Sequence, residues 1–134
     1  MTEEKESKRL VLYADDDADD RMLLTDTFQQ VAPDCILETV PDGSAAIDYL
    51  QSNTKRQPCL LILDLNMPGM NGWEVMKKLK TDQNFQSLPI VVFTTSSNPA
   101  DKQECARYGI EMITKPIDTV EFEQTASRLL SFCA

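Results

Sequence analysis

The sequence contains no histidine, and none of its four cysteines forms a Cys-x-x-Cys pair. These two absences argue against a zinc site, which is usually built from closely spaced Cys and His ligands. Basic residues are also few, because 13 Lys and Arg face 22 Asp and Glu, for a formal net charge of −9. An acidic surface repels phosphate backbones and anionic lipids, so the composition argues against partners such as nucleic acid or a membrane.

Long apolar runs are missing as well. No run approaches the roughly 20 residues of a membrane-spanning helix, and the charged segment 1–8 lacks the apolar region of a signal peptide. We therefore expect a cytoplasmic protein with reduced cysteines, in which Cys35 and Cys59 act as small core residues. The length of 134 residues suits one domain. We expect a flexible tail over 1–8 and one folded domain over 9–134.

Five short apolar runs alternate with amphipathic segments along the chain. This pattern is typical of βα units and predicts an α/β fold, with a parallel sheet between two layers of helices. Asn71 and Asp118 have the sequence context of helix caps, and Ile117 and Phe122 have the spacing of a hydrophobic staple. The predicted strands cover about 9–14, 35–40, 60–63, 90–93 and 110–114, and the predicted helices about 19–31, 43–51, 72–80, 99–108 and 119–132.

Polar residues stand at the ends of four predicted strands. Asp15 and Asp16 follow the first strand, and Asp64 follows the third. Thr94 ends the fourth strand, and Lys115 follows the fifth. Because the carboxyl ends of parallel strands lie at one edge of the sheet, we expect these five side chains to share a crevice. Acids at 17, 19 and 20 are interpreted only as residues that stabilise the start of the first helix.

Three carboxylates in one crevice repel each other unless a cation is present, and Mg²⁺ prefers oxygen ligands of this kind. We predict that Asp16 and Asp64 bind Mg²⁺ directly and that Asp15 acts through a water molecule. The backbone carbonyl of Asn66 is a further candidate ligand.

A hydroxyl and an ammonium complete the set, at Thr94 and Lys115. Both groups can bind phosphoryl oxygens, and phosphoryl transfer depends mainly on positioning and charge neutralisation. Since carboxylates can accept a phosphoryl group, the residues alone predict Mg²⁺-dependent phosphorylation of Asp64.

The chain resembles the receiver domains of two-component response regulators over residues 10–132. The resemblance rests on Asp15-Asp16, the segment Leu63–Gly72, Thr94 and Lys115-Pro116. It implies a flavodoxin-like (βα)5 fold with strand order 2-1-3-4-5. It also implies that Thr94 and Lys115 bind the phosphoryl group, and that the Lys115–Pro116 bond is cis, an isomer that proline makes accessible.

The same resemblance assigns the metal site and its ligands. It implies that Asp64 is the phosphoacceptor and a metal ligand, that Asp16 coordinates Mg²⁺ directly, that Asp15 does so through water, and that Asn66 contributes its main chain. Mn²⁺ is expected to substitute for Mg²⁺. One position departs from the family pattern, because Met112 stands where an aromatic switch residue is usual.

The expected phosphodonor is a histidine kinase or a histidine phosphotransfer protein, since a chain without histidine cannot supply its own phosphohistidine. The sequence ends two residues after Phe132, so we expect no effector domain. We expect a stand-alone regulator, monomeric or weakly dimeric, that signals through an unknown partner or relays the phosphoryl group onward. We do not expect a dedicated enzyme.

Three other functions fit the sequence less well. A phosphohydrolase would carry a second aspartate two residues after Asp64, where this chain has Asn66. A flavodoxin-like electron carrier would need a phosphate-binding loop where the chain has three acids, 15–17. A degenerate receiver that acts only as a docking module would explain Met112 but not the intact acidic site.

Overall fold

The computed structural model describes residues 9–52 and 56–133, and these form one parallel five-stranded sheet in the order β2-β1-β3-β4-β5. The third and fourth strands are buried along their whole length because helices cover both faces. The predicted α/β architecture and the flavodoxin-like strand order are therefore confirmed. The strands are β1 (Arg9–Ala14), β2 (Cys35–Val40), β3 (Leu60–Leu63), β4 (Ile90–Thr94) and β5 (Glu111–Thr114).

Five helices connect or follow the strands, and their first residues are held by side-chain caps. Asn71 and Glu74 form a reciprocal capping box, and Asp118 accepts two backbone N–H groups at the start of the last helix. The sequence pattern does not predict the short 3₁₀ turn at Gln83–Phe85. The helices are α1 (Ala18–Val31), α2 (Gly43–Ser52), α3 (Gly72–Lys80), α4 (Pro99–Arg107) and α5 (Thr119–Leu130).

Two apolar clusters, one on each face of the sheet, hold the layers together. The first joins β1, β3 and β4 to α2 and α3 and includes Leu61, Val75 and Met76. The second joins the same strands to α1 and α5 and includes Phe28 and Phe93. Burial of these side chains, at roughly 25 cal/mol per Å² of apolar surface, is the main stabilising contribution to the fold.

Two predictions about the C-terminal part of the fold are wrong. Ile117 is fully exposed, so it forms no staple with Phe122. Lys115 is held inside the sheet edge while Asp118 caps α5, and this short connection leaves Ile117 in solvent. The Lys115–Pro116 bond is trans, as are all peptide bonds of the described residues. The two isomers of an X–Pro bond differ by only about 0.5–1 kcal/mol, so the dipeptide alone does not determine which one is present.

The cysteines also differ from the expectation. Cys59 and Cys133 form a disulfide, with Cα atoms 5.0 Å apart and a sequence separation of 74, whereas Cys35 and Cys105 are free and buried. Cys59 therefore packs against the apolar core, as expected, but it is oxidised in a disulfide and not a free thiol. The tail expected over 1–8 lies outside the described residues. Within the described residues, no helix is both long enough and apolar enough to cross a membrane.

Candidate functional site

The sheet brings the predicted site residues together through its backbone hydrogen bonds. The Asp64 amide donates to the carbonyl of Ala14 at 3.0 Å, which places the ends of β1 and β3 side by side. The Lys115 amide donates to the carbonyl of Thr94 at 2.7 Å, which joins the ends of β4 and β5. Four strand ends thus open onto one edge of the sheet, as expected for a parallel α/β fold.

Three carboxylates gather at this edge. Asp15, Asp16 and Asp64 each offer a carboxylate oxygen, and the three oxygens lie within 4.8 Å of one another. Asp15 and Asp64 are buried, whereas Asp16 is exposed at the mouth of the crevice. Carboxylate oxygens at this spacing, open to solvent on one side, fit a hard divalent cation such as Mg²⁺ that retains several waters.

The Lys115 ammonium lies among carboxylates from three different elements. Its Nζ lies 2.6 Å from Asp15 Oδ2, 2.7 Å from Asp20 Oδ2 and 3.2 Å from Asp64 Oδ2. Desolvation lowers the pKa of Lys115, but hydrogen bonds to Asp15 and Asp20 and the charge of Asp64 outweigh it, and the pKa lies above its usual value. Lys115 therefore stays charged and is a permanent counter-ion in the crevice.

The groups around the Asp64 carboxyl shift its pKa in opposite directions. Burial raises its pKa, the Lys115 charge lowers it, and the neighbouring Asp15 raises it again, while a hydrogen bond with Thr94 lowers it. The pKa of Asp64 is above the usual value for an aspartate as a result. A bound cation would oppose this shift, since positive charge favours the ionised carboxylate.

Thr94 and Asn66 lie on either side of Asp64. Thr94 is fully buried at the end of β4, where its hydroxyl accepts a hydrogen bond from the Ser96 amide at 3.4 Å. The Asn66 amide donates to Asp64 Oδ1 at 3.4 Å, a local turn that starts the loop after β3 beside the carboxylate. This loop and Asp16 line an open cleft of about 480 Å³, with Trp73 on its wall.

Three residues that the sequence pattern did not single out shape the crevice. Tyr13, buried in β1, donates its hydroxyl to Asp15 Oδ2 at 2.5 Å. Asp20, interpreted from the sequence only as a helix-start acid, contacts the Lys115 ammonium. Gly72 lies so close to the strand end that a Cβ there would be 2.4 Å from the Asp64 carbonyl oxygen. The one available signal was for Gly72, since glycine is a poor helix former at the start of α3.

Met112 belongs to the core. It pairs with Val92 in the sheet, and both lie in the apolar cluster that also contains Cys105. At this position, where the resemblance leads one to expect an aromatic ring, the structure has a buried aliphatic-like side chain.

Comparison with known proteins agrees with this geometry. The sequence-family model of the response regulator receiver domain matches residues 11–127 of this chain. Chemotaxis protein CheY1 of Helicobacter pylori is 31% identical over 107 residues, which cover 79% of this chain and 84% of CheY1. Across eight matched relatives, this chain spans between 44% and 86% of the relative's own length.

Solved structures match over nearly the whole chain. The phosphorylated cyanobacterial phytochrome response regulator RcpA superimposes with a TM-score of 0.85 at 26% identity, over 95% of this chain and 94% of RcpA. The Mn²⁺-bound form of Rcp1, a response regulator of Synechocystis, does so with a TM-score of 0.81 at 27% identity, over 92% of this chain and 93% of Rcp1. The chain therefore belongs to the response regulator receiver domain family of two-component signalling, with the flavodoxin-like fold of that family.

Proposed function

We propose that the protein is a phosphorylation-controlled signalling switch, in which Asp64 accepts a phosphoryl group in a Mg²⁺-dependent reaction. The observation that carries this proposal is the position of Asp64, whose buried carboxylate lies 3.2 Å from the Lys115 ammonium and beside two further aspartates. A carboxylate next to a fixed positive charge and a metal-binding set of oxygens is equipped for nucleophilic attack on phosphorus.

In the proposed reaction, an Asp64 carboxylate oxygen forms the new O–P bond while the P–N bond of a phosphohistidine donor breaks and the imidazole keeps the electron pair. Lys115 and Thr94 bind the phosphoryl oxygens and hold them in place. Asp15, Asp16, Asp64 and the Asn66 carbonyl would hold Mg²⁺, which supplies charge neutralisation at the transferred group. Mn²⁺ would fit the same oxygens, and a Mn²⁺-bound form of Rcp1 supports this part of the proposal.

The donor would be a histidine kinase or a phosphotransfer protein, because response regulator receiver domains interact with such proteins. The family is not one of dedicated enzymes, so the output would be a change in protein–protein contacts. A cytoplasmic location and a monomeric or weakly dimeric state complete the proposal. Family membership supports the location, and cell fractionation and sedimentation would test these two points.

Intact-mass analysis after incubation with acetyl phosphate and MgCl₂ tests the reaction. We expect one added phosphoryl mass in the wild type, none in Asp64→Asn and none when EDTA replaces Mg²⁺. Asp34→Asn is the matched control, because it removes the same charge from an exposed position before β2 and should leave the modification intact. If the wild type gains no phosphoryl mass while an active receiver in the same tube does, or if Asp64→Asn gains it as well, the proposal is wrong.

A further inference from the structure

Asp20 lies in the first turn of α1, and its carboxylate forms an ion pair with Lys115 in the crevice. Its Oδ2 lies 2.7 Å from Lys115 Nζ, shorter than the 3.2 Å between Lys115 Nζ and Asp64 Oδ2. The side chain of Lys115 is 8% exposed, whereas that of Asp20 is 32% exposed. Neither the metal-binding set nor the proposed phosphoacceptor includes Asp20.

We propose that Asp20 is a positioning residue that shares the Lys115 ammonium with Asp15 and Asp64 in the unmodified protein, and that it is the partner Lys115 releases when a phosphoryl group arrives. The second half of this inference rests on the proposed function. The first half rests only on the ion pair itself.

The donor count of Lys115 supports the exchange. An ammonium has three N–H donors, and here they face three carboxylates, those of Asp15, Asp20 and Asp64. A phosphoryl group with several oxygens can therefore gain stronger contact with Lys115 only if the ammonium turns toward it and weakens an existing pair. The contact of Asp64 can pass to the phosphoryl group that Asp64 then carries, so any further N–H donor must be released by one of the two remaining carboxylates, Asp15 or Asp20.

Burial decides which carboxylate that is. Asp15 is fully buried, and its Oδ2 accepts from both Lys115 and Tyr13, so loss of the ammonium would leave a buried charge poorly paired. Asp20 lies at the rim, where water can replace the ammonium at little cost. Asp20 is therefore the exchangeable partner, and Asp15 is the permanent one.

The positioning half can be tested without any phosphodonor, by observing the Lys115 ammonium directly by ¹⁵N–¹H NMR. We expect a slowly exchanging Nζ signal in the wild type, a shifted and faster-exchanging signal in Asp20→Asn, and a signal close to the wild type in Asp20→Glu. Asp19→Asn is the matched control, because Asp19 precedes Asp20 in the same turn and is exposed. An ammonium signal that is unchanged in Asp20→Asn, or that changes equally in Asp19→Asn, would overturn the positioning role.

The exchange half is tested by the rate of phosphorylation by acetyl phosphate at saturating Mg²⁺. Because Asp20 competes for the ammonium, we expect Asp20→Asn to react faster than the wild type, by up to about fivefold, the upper end for a partly exposed ion pair. Asp19→Asn and Asp20→Glu should stay close to the wild type. A rate in Asp20→Asn that is equal to or below that of the wild type would overturn the competition. If no variant and no wild type is phosphorylated, the proposed function fails and the exchange with it, while the NMR result still decides the positioning role.

Discussion

The hydroxyl of Tyr13 donates to Asp15 Oδ2 at 2.5 Å, and the same oxygen accepts from Lys115 at 2.6 Å. The Asp17 amide satisfies the other oxygen of Asp15 at 2.9 Å. A fully buried carboxylate thus receives three donors from the protein itself. Both oxygens of the Asp15 carboxylate are therefore paired at the bottom of the crevice, below the exposed Asp16, and burial leaves neither of them without a donor.

Tyr13→Phe should destabilise the protein while leaving the packing of the ring in place. The ring of Tyr13 packs against Phe93 with a centroid distance of 6.2 Å, and phenylalanine keeps this contact. Asp15 loses one of its donors, so we expect the free energy of unfolding to fall by about 1–2 kcal/mol in EDTA. Urea denaturation measures the change.

The control for this substitution is Tyr108→Phe, at the end of α4 and away from the crevice. We expect it to change the free energy of unfolding by less than about 0.5 kcal/mol. Equal effects of the two substitutions would show that the Tyr13 hydroxyl is not a significant support of Asp15.

Gly72→Ala should disturb the site through the backbone of β3. A Cβ at this position would lie 2.4 Å from the Asp64 carbonyl oxygen and 2.8 Å from the Leu65 Cα, and neither atom belongs to a flexible side chain. The strand end or the start of α3 must therefore move. We expect a loss of stability of about 1–3 kcal/mol, typical of overpacking, and weaker Mg²⁺ binding, measured by the fluorescence of Trp73 beside the cleft.

Gly69→Ala is the matched control for Gly72→Ala. Gly69 has a positive φ of 70° and nothing within 4 Å of an added Cβ, so its substitution strains the local turn without pushing on Asp64. It should cost about 1–2 kcal/mol of stability and leave Mg²⁺ affinity nearly unchanged. A loss of affinity in Gly69→Ala as large as that in Gly72→Ala would contradict the steric argument.

The sequence predicts most of the sheet edge, because its signals are local. A buried apolar run followed by a polar residue marks a strand end, and parallel topology then brings Asp64, Thr94 and Lys115 together. The contacts that Lys115 makes cannot be predicted in this way, because they join residues far apart in the sequence. The sequence identifies Asp20 only as a helix-start acid, because nothing in its own segment shows that a lysine 95 residues later contacts it.

Two further features depend on tertiary distances, for which the sequence offers at most the weak signal of a glycine at the start of α3. Gly72 must be glycine because of a carbonyl group in another element. The pairing of Cys59 with Cys133 joins the start of β3 to the residues after α5, and the spacing of the cysteines gives no indication of it. The chemistry of the strand ends was therefore predictable, whereas the residues that hold these groups in place were not.

The disulfide predicts a thiol count and a loss of stability on reduction. The chain has four cysteines, two of them paired, so denatured protein should show two reactive thiols without reductant and four after reduction. Cys133→Ser, or reduction of the wild type, should lower the free energy of unfolding by about 2–4 kcal/mol, because the bond closes a long loop in the unfolded chain.

The two ways of removing the disulfide control for each other. Reductant should cost the wild type stability and should have almost no effect on Cys133→Ser, because that variant has no bond left to reduce. Four reactive thiols in protein purified without reductant, or equal sensitivity of both proteins to reductant, would contradict the cross-link.

Stability should fall as the pH rises above 9. Burial, with smaller contributions from Asp101 and Glu104, raises the pKa of Cys105 from 9.0 to about 11. Between these two values the unfolded thiol loses its proton while the folded one keeps it, so deprotonation favours unfolding. The pKa of Tyr13 is raised as well, and that of Lys115 lies above 10.5, so both groups act in the same direction at higher pH.

Urea denaturation at pH 7, 9, 10 and 11 should therefore show a declining free energy of unfolding, with each group contributing at most about 1.4 kcal/mol per pH unit. Cys105→Ala removes one titrating group, so its decline between pH 9 and 11 should be shallower, whatever the cost of the substitution at pH 7. Val75→Ala, a buried truncation without an ionisable group, should keep the wild-type slope. Non-reducing gels would check that the Cys59–Cys133 disulfide has not exchanged with the free thiols during these measurements. Parallel declines in all three proteins would mean that Cys105 ionises equally readily in the folded and unfolded states, which its complete burial argues against.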